Sequence, residues 1–138
     1  MKFGYILVFM CFFMTASYAQ EHIIVGTGGG FAGTRNLYKI YSDGRVDKAS
    51  GMGELTFKEH GMLKKSDAKK CIKEVAEQIA NNPNFLHPGS DYYFFTYDDG
   101  IAERRITWGD KSKPVSADVQ AVFQKVNKHL KGVALAIQ

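Results

Sequence analysis

Residues 26–35 read GTGGGFAGTR, and Gly28, Gly30 and Gly33 match the pattern G-x-G-x-x-G letter for letter. The meaning of that match decides the fold. A dinucleotide-binding loop requires a strand before the glycines and a helix opening at the third one, whose N-terminus holds the phosphates within a parallel βαβ unit. Here the preceding "EHIIVGT" (21–27) is a short β-type run, but Gly33 is followed by "TRNLYKIYSDGRVDK" (34–48). That stretch is rich in Leu, Tyr and Ile and is interrupted by Asp43-Gly44, a strong hairpin signal. A phosphate loop of the Walker type fails as well, because Thr34-Arg35 stands where Lys-Ser/Thr is required. The stretch therefore reads as a glycine-rich connection between two strands, and the sheet as antiparallel.

The flanking sequence extends this pattern. "GELTFKEHGML" (53–63) alternates Leu55, Phe57 and Glu59 against other residues and predicts a strand. Ser66 opens a helix with Asp67 in its first turn and Ala68, Ile72, Val75 and Ile79 at helical spacing; Pro83 ends it. "YYFFTYDDGIAERRITWGD" (92–110) is the clearest hairpin, turning at Asp98-Asp99-Gly100, and its first strand is apolar on both faces, as suits the sheet interior. A second helix starts at Ser116, carries Val119, Val122, Phe123, Val126 and Leu130 as one stripe, and stops at Gly132. Two one-faced helices need a sheet face to cover. The expectation is an α+β fold, a four- to five-stranded antiparallel sheet packed by two helices.

The first nineteen residues stand apart. Lys2, the apolar run "FGYILVFMCFFM" and the small residues Ser17 and Ala19 form the pattern of an export signal cleaved after Ala19. The run is shorter than the roughly 20 residues of a spanning helix. The expected product is secreted or periplasmic and consists of residues 20–138 as one α+β domain, with no membrane span after cleavage. Removing Lys2 leaves seventeen basic against fourteen acidic side chains, too even a balance to argue for nucleic acid. The density in "KEHGMLKKSDAKK" (58–70) reads as a solvated face. Only Cys71 remains outside the signal, so no internal disulfide is possible, and its setting beside Ile72 is that of a small buried hydrophobe.

Catalytic chemistry finds little footing. His22, His60, His87 and His129 stand far apart and form no H-E-x-x-H or i, i+4 pair. The G-x-S-x-G elbow is absent. Asp98 and Asp99 belong to a turn, and Asp110 follows Gly109 at a strand end. An enzyme would need His60 or His87 brought beside acidic partners in a cleft; the expectation is a non-enzymatic protein with no cofactor and no metal. Trp108 and the tyrosines read as core. The unusual feature is the run Gly26–Gly33, five glycines in eight positions with Phe31 among them. Glycine costs chain entropy in regular structure. Two readings stay open together: a bulge or tight backbone crossing, or a loop offering bare backbone to a protein partner with Phe31 as apolar anchor. The candidate partner-binding residues are Gly28, Gly29, Gly30, Phe31, Ala32 and Gly33.

Three patches, Gly29-Gly30-Phe31-Ala32-Gly33, Pro88-Gly89 with Asp91-Tyr92, and the hairpin around Gly100, resemble the emfourin family, small protein inhibitors of thermolysin-type zinc metalloproteases. They are also similar to patches in small exported proteins of Bacteroidetes-type bacteria that share GGGF-G, PG and WG. The likeness is loosely ordered over most of residues 20–138. Gly28 replaces the serine that the family places before its glycine pair, and Trp108 is no family feature. The resemblance implies a shared fold and inhibition of a thermolysin-type metalloprotease through the glycine-rich loop. The alternative is an exported envelope module that docks on another protein through the same loop or through an edge strand.

Overall fold

A computed structural model describes residues 20–135. The export signal expected over residues 1–19, with its cleavage after Ala19, lies outside the described residues. In chain order the elements are β1 (His22–Gly29), β2 (Thr34–Tyr41), β3 (Arg45–Gly51), β4 (Lys58–Met62), α1 (Lys65–Asn81), β5 (Asp91–Asp98), β6 (Glu103–Trp108), α2 (Ala117–Lys131) and β7 (Ala134–Leu135). The strands form one antiparallel sheet in the order β6-β5-β1-β2-β3-β4-β7. The α+β class is as expected, but the expected four to five strands are too few: six strands of five to eight residues join the sheet, and β7 adds two residues at its edge. The edge strand β6 (ERRITW) and β4 (KEHGM), which lies just inside the two-residue β7, are short and carry charged residues. They join through backbone hydrogen bonds, which need no apolar pattern.

The hairpins follow from their turns. At Asp98-Asp99-Gly100 the Asp98 carboxylate accepts from Gly100 N (2.7 Å), and Asp99 accepts from Ile101 N and Ala102 N (2.8 and 2.9 Å). That turn sets β5 against β6 with Tyr93 opposite Trp108 and Phe95 opposite Ile106. The other side of β5 pairs with β1, so the doubly apolar strand does lie inside the sheet. The segment before it, expected as a loop, runs along β6: Thr107 N donates to Phe85 O and His87 N to Thr107 O, both at 2.9 Å. That contact pairs Thr107 on the otherwise open edge of β6.

Both helices pack on one face. Ile23 and Val25 of β1, Ile40 of β2, Val46 of β3, and Phe95, Ile106 and Trp108 meet Ala68, Ile72, Val75 and Ile79 of α1 and Val119, Val126 and Leu130 of α2 in one buried cluster. Val122 and Phe123 complete the α2 stripe at half exposure. Helix α2 is capped by Ser116, whose hydroxyl accepts from Val119 N at 3.3 Å. Ser116→Ala is expected to cost about 1 kcal/mol in chemical denaturation. A change indistinguishable from zero would remove the cap from the account.

Cys71 is buried at 1 % exposure within this cluster. Burial pushes its thiol up to about 11, with Glu74 and Asp67 adding to the rise. The folded chain therefore favours the protonated thiol, and the unfolded chain ionises from about pH 9. Stability contributed this way is complete below pH 9 and is lost as pH rises towards 11. The same burial predicts that a thiol reagent at neutral pH labels Cys71 only as fast as the protein unfolds; immediate labelling of the native protein would contradict it.

The second face has no helix. Leu37, Ala49 and Phe94 are buried there under Ile24, Leu55, Phe57 and Tyr92. Leu55 and Phe57, expected within a strand, precede β4 and fold back over this face instead.

Candidate functional site

Gly28 and Gly29, expected beyond the end of the first strand, lie with Gly26 within β1 and pair on both sides, Gly28 with Arg35 and Tyr92 and Gly29 with Thr34 and Asp91. Their small size is a packing requirement. A Cβ on Gly26 would lie 2.4 Å from Cζ of Phe94, and one on Gly28 would lie 2.4 Å from Cζ of Tyr92, so two β5 rings lie across the β1 backbone. Gly29 has φ +109°, and a Cβ there would stand 2.0 Å from Ser90 O. The glycine run is thus first a tight crossing of β1, β5 and the Ser90 loop.

Beyond Gly29 the chain turns through Gly30, Phe31, Ala32 and Gly33. Gly30 N donates to Ser90 O (3.1 Å) and Gly33 N to Gly30 O (3.2 Å), which pins the tip to a neighbouring loop and closes it on itself. Gly30 and Gly33 take φ of +75° and +63°. Phe31 is fully exposed, and Ala32 and Gly33 with it. Of the six candidate residues, four form the exposed tip, while Gly28 and Gly29 are half-buried strand residues whose backbone is already paired.

One hollow adjoins the base of the tip, and a second lies beside the first. The smaller, about 310 Å³, is lined by Thr27, Gly28, Gly29, Thr34, Asp91, Tyr92 and Tyr93. The larger, an open groove of about 520 Å³, has Tyr93, Trp108 and Phe123 as its aromatic wall and Asp110, Gln120 and Gln124 among its polar groups. Tyr93 borders both. Its ring stacks on Trp108 (centroids 6.1 Å apart) and meets Phe123 edge-on at 5.5 Å. Trp108 is buried, as a core residue should be, yet its edge forms a groove wall. The groove was not legible in sequence, since it depends on the Tyr93–Trp108 register and on α2 lying beside it. The available signal was the odd-numbered face of β5, Tyr93, Phe95 and Tyr97.

Asp99, Asp110 and the histidines His22, His60 and His87 make structural contacts. The Asp99 carboxyl is held below its usual range by the N–H groups of Ala102 and Ile101, with Arg104 lowering it further. The Asp110 carboxyl is lowered by the hydroxyl and N–H of Ser112. His60 lies against the Tyr38 ring at 5.6 Å and His87 against Phe85 at 4.8 Å. Nε2 of His22 is 4.0 Å from Asp98, beside the Tyr41 ring, and His87 lies near enough to Asp110 to help lower its carboxyl. Among the described residues no three His, Cys, Asp or Glu side chains converge as a metal site. No helix among them is long and apolar enough to cross a membrane.

No family model matches the chain, and no curated protein matches it.

Proposed function

We propose that this protein is an exported, non-enzymatic inhibitor that binds a thermolysin-type zinc metalloprotease through the Gly30–Gly33 tip. The observation that carries the reading is Phe31: a large apolar side chain, fully exposed, on a tip whose backbone is hydrogen-bonded at its base. A single exposed apolar side chain is ordinary on a protein surface; on this hydrogen-bonded tip, Phe31 is placed to act as the single anchor of a contact. A protease cleft takes extended backbone, and the flanking Gly30, Ala32 and Gly33 present little that would clash. Enzymes of this type favour a bulky apolar residue just after the scissile bond, the place Phe31 would take. A tip already ordered by Ser90 and by its own turn loses little further freedom on binding. The same anchoring opposes the deformation that cleavage of the loop would require. The resemblance of Gly29–Gly33 to the emfourin patch adds support.

The test is direct. Protein beginning at Gln20 is titrated into a panel of thermolysin-type proteases with a peptide substrate. Inhibition at micromolar or lower concentration is expected. Full activity of every protease at saturating protein would overturn the reading.

A second reading, an exported envelope module docking on another protein, is favoured by the groove of Tyr93, Trp108 and Phe123. That groove shares Tyr93 with the hollow at the base of the tip and offers an aromatic wall outside the loop itself. Capture from an envelope fraction separates the two: recovery of a metalloprotease supports inhibition, and recovery of a structural envelope protein supports the module.

A further inference from the structure

The opposite end of the molecule carries a different kind of site, independent of the hairpin tip. β4 ends at Met62 beside Arg45, the first residue of β3, at the sheet end away from Gly30–Gly33. Leu63 and Lys64 lead from there into α1, and α2 returns its C-terminal turns to the same place before β7 pairs with Gly61 and Met62. Between them lies a groove of about 570 Å³ lined by Lys64, Lys70, Lys125, Lys128, His129 and Asp67, with Met62, Leu63 and Gly132 at its floor and rim.

The charges in this groove do not balance. Lys125 is committed to Glu74, with Nζ 3.0 Å from Oε1. Lys64, Lys70 and Lys128 are exposed, and no salt bridge among the described residues engages them. Asp67 is the one carboxylate lining the groove. Two basic segments far apart in sequence, Lys64–Lys70 and Lys125–Lys128, are thus brought to face one another, and after Glu74 and Asp67 are counted two cations are in excess. Like charges gathered around a concavity repel, and low-dielectric walls strengthen that repulsion. Folding offers Lys64 no compensation either, since it stands at the start of α1, where the helix dipole disfavours a cation.

We propose that this groove binds an anion carrying two or more closely spaced phosphate groups, held by Lys64, Lys70 and Lys128 with a ring N–H of His129 donating a further hydrogen bond. The chemistry points to phosphate. Every formal cation lining the groove is a lysine, a point charge suited to phosphate, and none is the arginine fork that recognises a carboxylate bidentately. The spread of the three lysines over two helices calls for more than one anionic centre. No Phe, Tyr or Trp lines the groove, so the stacking platform that single-stranded nucleic acid uses is missing from it.

Two probes separate the possible carriers. Tripolyphosphate, titrated calorimetrically into the protein beginning at Gln20, represents a soluble ligand. Phosphatidylcholine vesicles containing phosphatidylglycerol, tested by co-sedimentation, represent phosphates on a lipid surface. Saturable binding of at least one probe is expected, weakening roughly tenfold between low and physiological salt. The double variant Lys70→Glu/Lys128→Glu should lose at least about tenfold in affinity. Lys58→Glu/Lys113→Glu, with the same change of net charge away from the groove, should bind as the parent does. Binding of tripolyphosphate assigns a soluble ligand, and binding of the vesicles alone assigns a lipid-borne one. Absence of binding to both probes, or equal loss in the two double variants, overturns the proposal. So does undiminished binding by Lys70→Glu/Lys128→Glu with its circular dichroism unchanged.

Discussion

Phe31→Asp is expected to abolish partner binding while leaving the fold intact. An exposed aromatic that serves as the central anchor of an interface contributes about 2–4 kcal/mol on truncation, a loss of roughly 30- to 1,000-fold in affinity. Aspartate adds the cost of bringing a charge into an apolar pocket. In the free protein the Phe31 side chain is fully exposed at the hairpin tip. Its replacement should therefore move stability by no more than about 0.5 kcal/mol. The two measurements belong together, inhibition or capture on one side and chemical denaturation on the other. A variant as stable as the parent and equally potent would remove Phe31 from the contact. One that loses both activity and stability would show that the side chain supports the fold.

The second large effect concerns stability alone. Gly29→Ala is expected to destabilise the protein by at least about 3 kcal/mol, a large part of a typical folding free energy. The position has φ +109°, and strain of that kind by itself amounts to about 1–3 kcal/mol. The added methyl would also stand 2.0 Å from Ser90 O and 2.9 Å from Asp91 Cα. Both are backbone atoms, Ser90 O accepting from Gly30 N and Asp91, the first residue of β5, pairing with Gly29 itself, so neither can move without opening the β1–β5 ladder. Gly33→Ala is the internal comparison. Its φ is +63° and nothing lies within 4 Å of the added carbon, so only the left-handed backbone penalty of about 1–2 kcal/mol applies. Equal destabilisation by the two substitutions in denaturant titrations would contradict the tight crossing at Gly29.

The parts of the fold that were legible in sequence are the ones encoded locally. Asp43-Gly44 and Asp98-Asp99-Gly100 make their turns through hydrogen bonds to residues two or three positions away. The stripe from Val119 to Leu130 declares one face of a helix because helical period and burial coincide there. Leu55 and Phe57 show where this reasoning ends. Their alternation suits a strand, yet they lie over the second sheet face, and nothing local distinguishes a residue in a ladder from one folded back onto it.

The candidate sites divide in the same way. GTGGGFAGTR already excluded a nucleotide loop through the β-type run directly after it, because a helix start and a strand cannot occupy the same residues. Its exposed aromatic could also be named. Why Gly26 and Gly28 are glycine depended on Phe94 and Tyr92, which reach them only through the β1–β5 register. The aromatic groove needed that register together with the placement of α2, and the lysine groove needed both helices to end beside β4. Sequence by itself determined the turns, the helix faces and the antiparallel character of the sheet, since those rest on interactions between near neighbours. Strand order, the seats of the rings and the convergence of charge were decided only by the tertiary structure, because they arise from pairings between distant segments that no local pattern encodes.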